Sequence, residues 1–436
     1  MASATPLATA ALLAVLLAGC ASKPPEKPAT PAATATTSPP SITSTRQPSP
    51  DSPPAAEVPA SGQFANFSAW KADFADRARI AGISESTVQG FLATARFLPR
   101  VVELDRAQPE FTRTAWQYLD GAVSPQRIAQ GRRKMQEYAA ALGNASQRYG
   151  VPAAVVTAIW GMESNYGGNF GNISTINALA TLAYDGRRAQ WAGQELLAAL
   201  RIIDNGDIDA SRMLGSWAGA MGHTQFLPSV FLRYAIDADG DGHRDIWGSI
   251  ADVTASTANY LSQSGWNLDE PWGVEVRLPP GFDYARAELS ERAGSGQWAA
   301  EGVQAANGRP LPTLAGASII TPVGAHGPAF LVGINFRAIL RYNNSINYAL
   351  AVALLADQLA GNAGVRAPWP RDLQPLTREQ MRGLQTALGQ RGFDAGAADG
   401  VMGPATRAGL RRYQQSLGLQ ADGYPTLQLL RQLQGN

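Results

Sequence analysis

The chain has 436 residues, 45% of them hydrophobic, enough for two or three domains with packed cores. Thirty-six basic against thirty-five acidic side chains leave a net charge of +1, which excludes the basic footprint of a nucleic-acid-binding protein. A single cysteine excludes an internal disulfide and a cysteine-held metal cluster.

From the N-terminus, an apolar run from Leu7 to Leu17 is too short to span a bilayer and is followed by Ala18, Gly19 and Cys20. The segment resembles a bacterial lipobox, in which the cysteine is acylated and becomes the mature N-terminus, so residues 1–20 read as a lipoprotein signal peptide and Cys20 as the lipid anchor. No Lys or Arg precedes the run, a departure from the usual signal. Ala21 follows the cysteine, which in Gram-negative lipoproteins goes with an outer-membrane anchor facing the periplasm. Residues 21–63 hold eleven of the 29 prolines and cannot bury a core, so they read as a disordered Pro/Ala/Ser/Thr tether.

Residues 64–361 read as one mainly helical domain. Helical runs are expected at Phe67 to Ala81, Arg127 to Arg148, Thr175 to Leu200 and Ala255 to Gln263. Between Gly265 and Gly333 the pattern changes to short segments punctuated by Gly and Pro, with strands expected at Trp272 to Leu278 and Ala329 to Ile334. Helix returns near Phe336 and ends near Leu359. The fold class is therefore α+β, mainly helical, with a small β insertion. A linker at 362–375 leads to a module at 376–436 built on a duplication: Leu384-Gln-Thr-Ala-Leu388 is echoed by Tyr413-Gln-Gln-Ser-Leu417, and Ala398-Asp-Gly400 by Ala421-Asp-Gly423. Asp399-Gly-Val-Met-Gly403-Pro-Ala-Thr406 resembles the peptidoglycan-binding type 1 domain, a three-helix module that targets the cell wall.

Glu163 carries the strongest chemical signal. Pro152 suits a first helical position, Val155, Val156, Ile159 and Trp160 recur at helical spacing, and Gly167 and Gly168 end the run. Residues three and four apart share a face, so Ile159 and Trp160 screen the Glu163 carboxyl from water. Desolvation keeps such a group protonated, and a protonated carboxyl near neutral pH can donate to the leaving oxygen of a glycosidic bond. About fifty residues on, Gly215-Ser-Trp-Ala-Gly-Ala-Met-Gly-His-Thr-Gln-Phe-Leu-Pro228 is dense in small residues that let a ligand approach the backbone.

The Glu-Ser-Asn-Tyr-Gly block at 163–167, the Gly-Ala-Met-Gly-x-x-Gln-Phe-x-Pro block and Arg341-Tyr-Asn-Asn-Ser-Ile-Asn-Tyr348 together resemble the lytic murein transglycosylase B family. The resemblance implies a lysozyme-like core and cleavage of peptidoglycan glycan strands by one carboxylate, with no catalytic cofactor. It makes Glu163 the acid and then the base, and places Ser216, Gln225, Tyr342, Asn343, Tyr348 and Tyr118 along the glycan cleft. Read without the family, Tyr342 and Tyr348 are helix packing residues and Asn343 is a cap. Arg187 and Arg188 read either as contacts to peptide-stem carboxylates or as a solvated helix face, and His223 as a neighbour of the site.

Asp237-Ala-Asp-Gly-Asp-Gly-His-Arg-Asp245 has the oxygen spacing of an EF-hand loop. Asp237, Asp239, Asp241, Asp245 and the backbone carbonyl of His243 are the expected ligands of a structural Ca2+. Gly248 stands where the loop's closing Glu belongs, and Asp252 is the substitute. Two other functions compete: a hydrolytic muramidase, which needs a second carboxylate such as Asp185 or Glu195, and a noncatalytic wall-binding scaffold. Zinc-helix spacing of His and Glu, a Gly-x-Ser-x-Gly elbow and a phosphate-binding glycine loop are all lacking from the sequence.

Overall fold

The computed structural model describes residues 64–106 and 113–435. The signal segment, Cys20 and the tether lie outside them. Six helices build the first part: α1 (Phe67–Ile80), α2 (Glu85–Thr94), α3 (Pro99–Arg106), α4 (Ala115–Ala122), α5 (Pro125–Glu137) and α6 (Ala139–Tyr149). The expected run from Arg127 to Arg148 is two helices, because the chain leaves helical geometry at Tyr138, which has φ −112° and ψ 31°.

Helix α7 (Ala153–Ser164) is the axis of the domain. Every residue from Val155 to Ser164 is buried, as a helix apolar on all sides must be. One side packs Trp160 into a core with Trp70, Phe74, Leu179 and Phe231. The other packs Val156, Ile159 and Met162 against Leu142, Phe336, Ile339 and Leu355. Pro152 sits one residue before the helix, in the N-cap position. The helix ends three residues earlier than its glycines suggest, since Asn165 and Tyr166 both take left-handed geometry, with φ of 50° and 58°.

Beyond α7, strand β1 (Ile173–Ser174) leads into α8 (Thr175–Asp185) and α9 (Ala189–Asp204), two helices where one run was expected, divided at Gly186 with φ 92°. Strand β2 (Leu214–Gly215) pairs with β1, Ile173 facing Gly215. Then follow α10 (Pro228–Tyr234) and α11 (Ile250–Gln263). The insertion holds β3 (Gly273–Arg277), α12 (Ser295–Ala300), β4 (Gln304–Ala305), β5 (Ser318–Ile320) and β6 (Ala329–Val332) in an antiparallel sheet of order β4-β3-β6-β5. Side chains of β6 alternate in the manner of a strand covered on both faces: Ala329 and Leu331 join Val276 and Trp298, while Phe330 and Val332 join the α7 core. Helices α13 (Ile334–Tyr342) and α14 (Ile346–Leu359) close the domain, α14 lying along α7.

The C-terminal module has three helices, α15 (Arg378–Gln390), α16 (Pro404–Ser416) and α17 (Leu427–Gln434), around a core of its own that includes Leu384, Leu388, Leu410, Tyr413 and Leu430.

Candidate active site

Glu163 stands one residue from the C-terminal end of α7 and is only 8% exposed. Its carboxyl accepts a hydrogen bond from the Tyr348 hydroxyl of α14 and has no Lys or Arg partner among the described residues. Burial pushes the carboxyl up to about 7, against the pull of the Tyr348 hydroxyl, which favours the charged form. A carboxyl held there is half protonated at neutral pH. The phenols around it stay neutral: burial and the nearby carboxylate hold Tyr348 and Tyr342 well above 10 and push Tyr118 up to about 12.

The backbone behind the acid is fixed by glycines. A Cβ on Gly161 would lie 2.6 Å from the Tyr166 ring, and one on Gly131 of α5 would lie 2.4 Å from the Tyr166 hydroxyl. That hydroxyl donates to the Arg127 carbonyl at 2.9 Å, so Tyr166 is clamped between α5 and α7. Gly171, two residues before β1, passes close against β2, where a Cβ would sit 2.0 Å from the Gly215 carbonyl oxygen.

The glycine-dense block folds into tight turns beside this helix end. Ser216 Oγ accepts the N–H groups of Ala218 at 3.3 Å and Ala220 at 3.1 Å, which leaves its own proton to donate. Gln225 takes φ 51°, and its Nε2 donates to the carbonyls of Phe170 and Gly222, both at 2.9 Å. The hydroxyl of Tyr342 donates to the Thr224 carbonyl at 2.6 Å, and its ring stacks edge-on to Tyr260 with centroids 4.8 Å apart. Tyr342 thereby ties the end of α13 to the glycine block. Asn343 is the C-cap of that helix, and its Oδ1 is buried without a hydrogen-bond partner among the described residues. A buried acceptor of that kind is poised for a ligand N–H or O–H.

Two residues escaped a sharp reading from sequence. His223 stacks between Trp160 and Phe170, at centroid distances of 5.9 and 5.2 Å. The Trp160 indole donates to His223 Nδ1 at 3.2 Å, so the imidazole proton belongs on Nε2. Burial holds this histidine down to about 4, and it is neutral throughout the working range. Phe170 showed no signal beyond its place two residues after the Gly167-Gly168 pair.

The two carboxylates proposed for water activation lie elsewhere. Asp185 pairs with Arg106 at 2.7 Å, and Glu195 accepts the Ser229 N–H at 2.9 Å and hydroxyl at 2.7 Å at the start of α10. Neither these nor any other described carboxylate shifts Glu163. Arg187 and Arg188 both pair with the buried Asp105, and of the two Arg187 stays exposed, at 46% of its side chain.

In the acidic loop, carboxylate oxygens of Asp237, Asp239 and Asp252 come within 4.8 Å of one another, and Asp252 is fully buried. Asp241 and Asp245 are not in that cluster. Carboxylates inside and outside the cluster cap turns of the loop: Asp237 accepts the N–H groups of Gly240 at 2.7 Å and Gly242 at 2.9 Å, Asp241 that of His243 at 2.8 Å, and Asp245 those of Trp247 and Gly248, both at 2.8 Å.

The family model for the transglycosylase SLT domain matches residues 66–357, and one for a peptidoglycan binding domain matches 377–433. The chain is 31% identical over 367 residues to membrane-bound lytic murein transglycosylase B of Escherichia coli (strain K12), covering 80% of this chain and 96% of that one. Among solved structures, SltB3 from Pseudomonas aeruginosa in complex with NAG-anhNAM-pentapeptide superposes with TM-score 0.82 at 52% identity, covering 85% of this chain and 100% of the other. The Escherichia coli lytic transglycosylase Slt35 in complex with calcium superposes with TM-score 0.58 at 32% identity, covering 66% and 92%. The chain therefore belongs to the SLT-domain lytic transglycosylases, lyases that cleave peptidoglycan, and carries a peptidoglycan-binding module behind the catalytic domain.

Proposed function

We propose that the enzyme cleaves the β-1,4 bond between N-acetylmuramic acid and N-acetylglucosamine and leaves 1,6-anhydromuramoyl ends, with Glu163 as the only catalytic carboxyl. The observation that carries this reading is a buried carboxyl held near 7 with no second described carboxylate acting on it. Protonated Glu163 gives its proton to the bridging oxygen as the C1–O bond breaks. The Glu163 carboxylate so formed then takes the proton of the muramoyl C6 hydroxyl, whose oxygen closes on C1. The nucleophile belongs to the same sugar, so proximity stands in for a bound water. Tyr348 holds the carboxyl in place, and Ser216, Gln225, Tyr342, Asn343 and Tyr118 hold the glycan. The anhydro sugar bound to the similar SltB3 supports the same product here. Mass spectrometry of digested sacculi tests it: anhydro ends are expected, and muropeptides heavier by one water would make the protein a muramidase. Glu163→Gln is expected to lower release by ~10³-fold, within the range for loss of a general acid; a variant that still releases fragments would remove Glu163 from the chemistry.

A structural Ca2+ suits the acidic loop. Three carboxylates within 4.8 Å repel one another, and among the described residues the buried Asp252 has only the N–H groups of Ala238 and Asp245, each at 2.7 Å, to offset its charge. Hard oxygen donors of this kind fit calcium. Asp237, Asp239 and Asp252 form the core of the site, with Asp241, Asp245 and the His243 carbonyl available around it. Acylation of Cys20 would hold the enzyme to the outer membrane facing the periplasm, in keeping with its membrane-bound relative.

A further inference from the structure

The two halves of the C-terminal module build the same side-chain network. In the first, Gln385 of α15 donates to Asp399 Oδ1 at 3.1 Å and accepts the Gly400 N–H at 2.8 Å, and the Val401 N–H closes on Asp399 Oδ1 at 2.8 Å. In the second, Gln414 of α16 donates to Asp422 Oδ1 at 2.7 Å and accepts the Gly423 N–H at 2.8 Å, and the Tyr424 N–H closes on Asp422 Oδ1 at 2.9 Å. Both glycines are left-handed, and each turn rests on an arginine pair three and seven residues before its glutamine. A Cβ on Gly400 would meet Arg378 and Arg382 at 2.5 and 3.1 Å; one on Gly423 would meet Arg407 and Arg411 at 2.7 and 3.0 Å.

The second copy is a clamp in use. Asp422 Oδ2 accepts the backbone N–H of Ala325 at 2.9 Å, and Arg411 and Arg407 hold the Glu288 carboxylate at 3.2 and 3.5 Å, both partners lying in the β insertion of the catalytic domain. What it grips is a backbone N–H beside a carboxylate. Gly324 lets the turn come this close, since a Cβ there would lie 2.4 Å from Asp422 Oδ2. In the first copy Arg378, Arg382, Asp399 and Val401 are exposed, the arginines have no ion pair among the described residues, and Asp399 Oδ2 takes no hydrogen bond from another described residue.

We infer that the first copy is a binding site for an acidic peptide, with Arg378 and Arg382 on its carboxylate and Asp399 on a backbone N–H, as the second copy binds the catalytic domain. The reading as a wall enzyme identifies that peptide as a peptidoglycan stem, which carries glutamyl and terminal carboxylates. One copy of the repeat then fixes the module to the enzyme while the other holds the wall.

Fluorescence anisotropy of a labelled stem tetrapeptide with the full chain tests this without cleavage. The double variant Arg378→Ala/Arg382→Ala is expected to bind about tenfold more weakly or worse, the cost of losing charge-assisted hydrogen bonds to a carboxylate, and to cleave short stem-free glycan at the wild-type rate. Methyl esterification of the peptide carboxylates is expected to weaken binding to wild type to the same degree, and Arg407→Ala/Arg411→Ala to leave it intact. Unchanged affinity in the Arg378/Arg382 variant, or equal binding of the esterified peptide, would overturn the inference. Absence of anhydro ends in wild-type digests would instead overturn the proposed cleavage and leave this binding result standing.

Discussion

At the scale of single residues, the proposed chemistry turns on the protonation of Glu163. The folded state holds the proton up to about 7, whereas an unfolded chain releases it near the ordinary 4.5. Burial of this group therefore stabilises nothing: as pH rises from 4.5 through 7 the folded protein loses stability, by roughly 3 kcal/mol in all from the size of the shift. Catalysis gains what stability loses, because the acid remains available at neutral pH. Activity should fall as pH rises through about 7. The Tyr348 hydroxyl favours the charged carboxyl, so Tyr348→Phe removes that pull and raises the Glu163 midpoint further. The variant is expected to be slower, with the alkaline limb of its pH–rate profile moved to higher pH; a limb that stays put or moves down would show that Tyr348 does not act on the acid.

At the scale of elements, the closeness of α7 to its neighbours holds the acid in place. Gly161→Ala drives a methyl into the Tyr166 ring, 2.6 Å away, and overpacking of this kind costs about 1–3 kcal/mol. Urea denaturation should show that loss, with reduced activity, since Glu163 lies two residues on. In the loop before α11, chelation of calcium is expected to lower the melting temperature of wild type and not of Asp252→Ala; equal melting of wild type with calcium and with chelator would refute the metal. How far these elements were legible follows from how local their causes are. The apolar runs of α7 and β6 are written in consecutive residues, and so is the spacing of the acidic loop. The breaks at Tyr138 and Gly186 were not, because helical periodicity continues across each and tertiary packing decides where the chain turns. The same holds for side-chain partners distant in sequence: Asp105 under Arg187 and Arg188, and the Tyr166 hydroxyl on Arg127. The three motif blocks named Glu163, Tyr342 and Tyr348, yet only the fold shows that Tyr348 of one block reaches Glu163 of another across 185 residues.

At the scale of the whole molecule, the module is docked on the enzyme rather than strung from it. Trp116 of α4 and Val323 of the insertion pack with Trp369 and Leu373 of the linker and Tyr424 of the module, while Arg371 in the linker pairs with Asp120 at 2.6 Å. A surface ion pair adds little stability, but with Asp422 and the Glu288 pair it sets one orientation of the module. The duplication visible in sequence could not reveal that its two copies face different partners. Within the catalytic domain the packing has one chemical result: α14 with Tyr348, α4 with Tyr118 and α13 with Tyr342 surround the end of α7 and strip water from one carboxyl. The most direct measurement of that result is the pH titration of the Glu163 side-chain carboxyl carbon by NMR, assigned by difference against Glu163→Gln. A midpoint near 7 is expected in the folded enzyme, and one at the ordinary 4.5 would show that the fold does not hold the proton on Glu163.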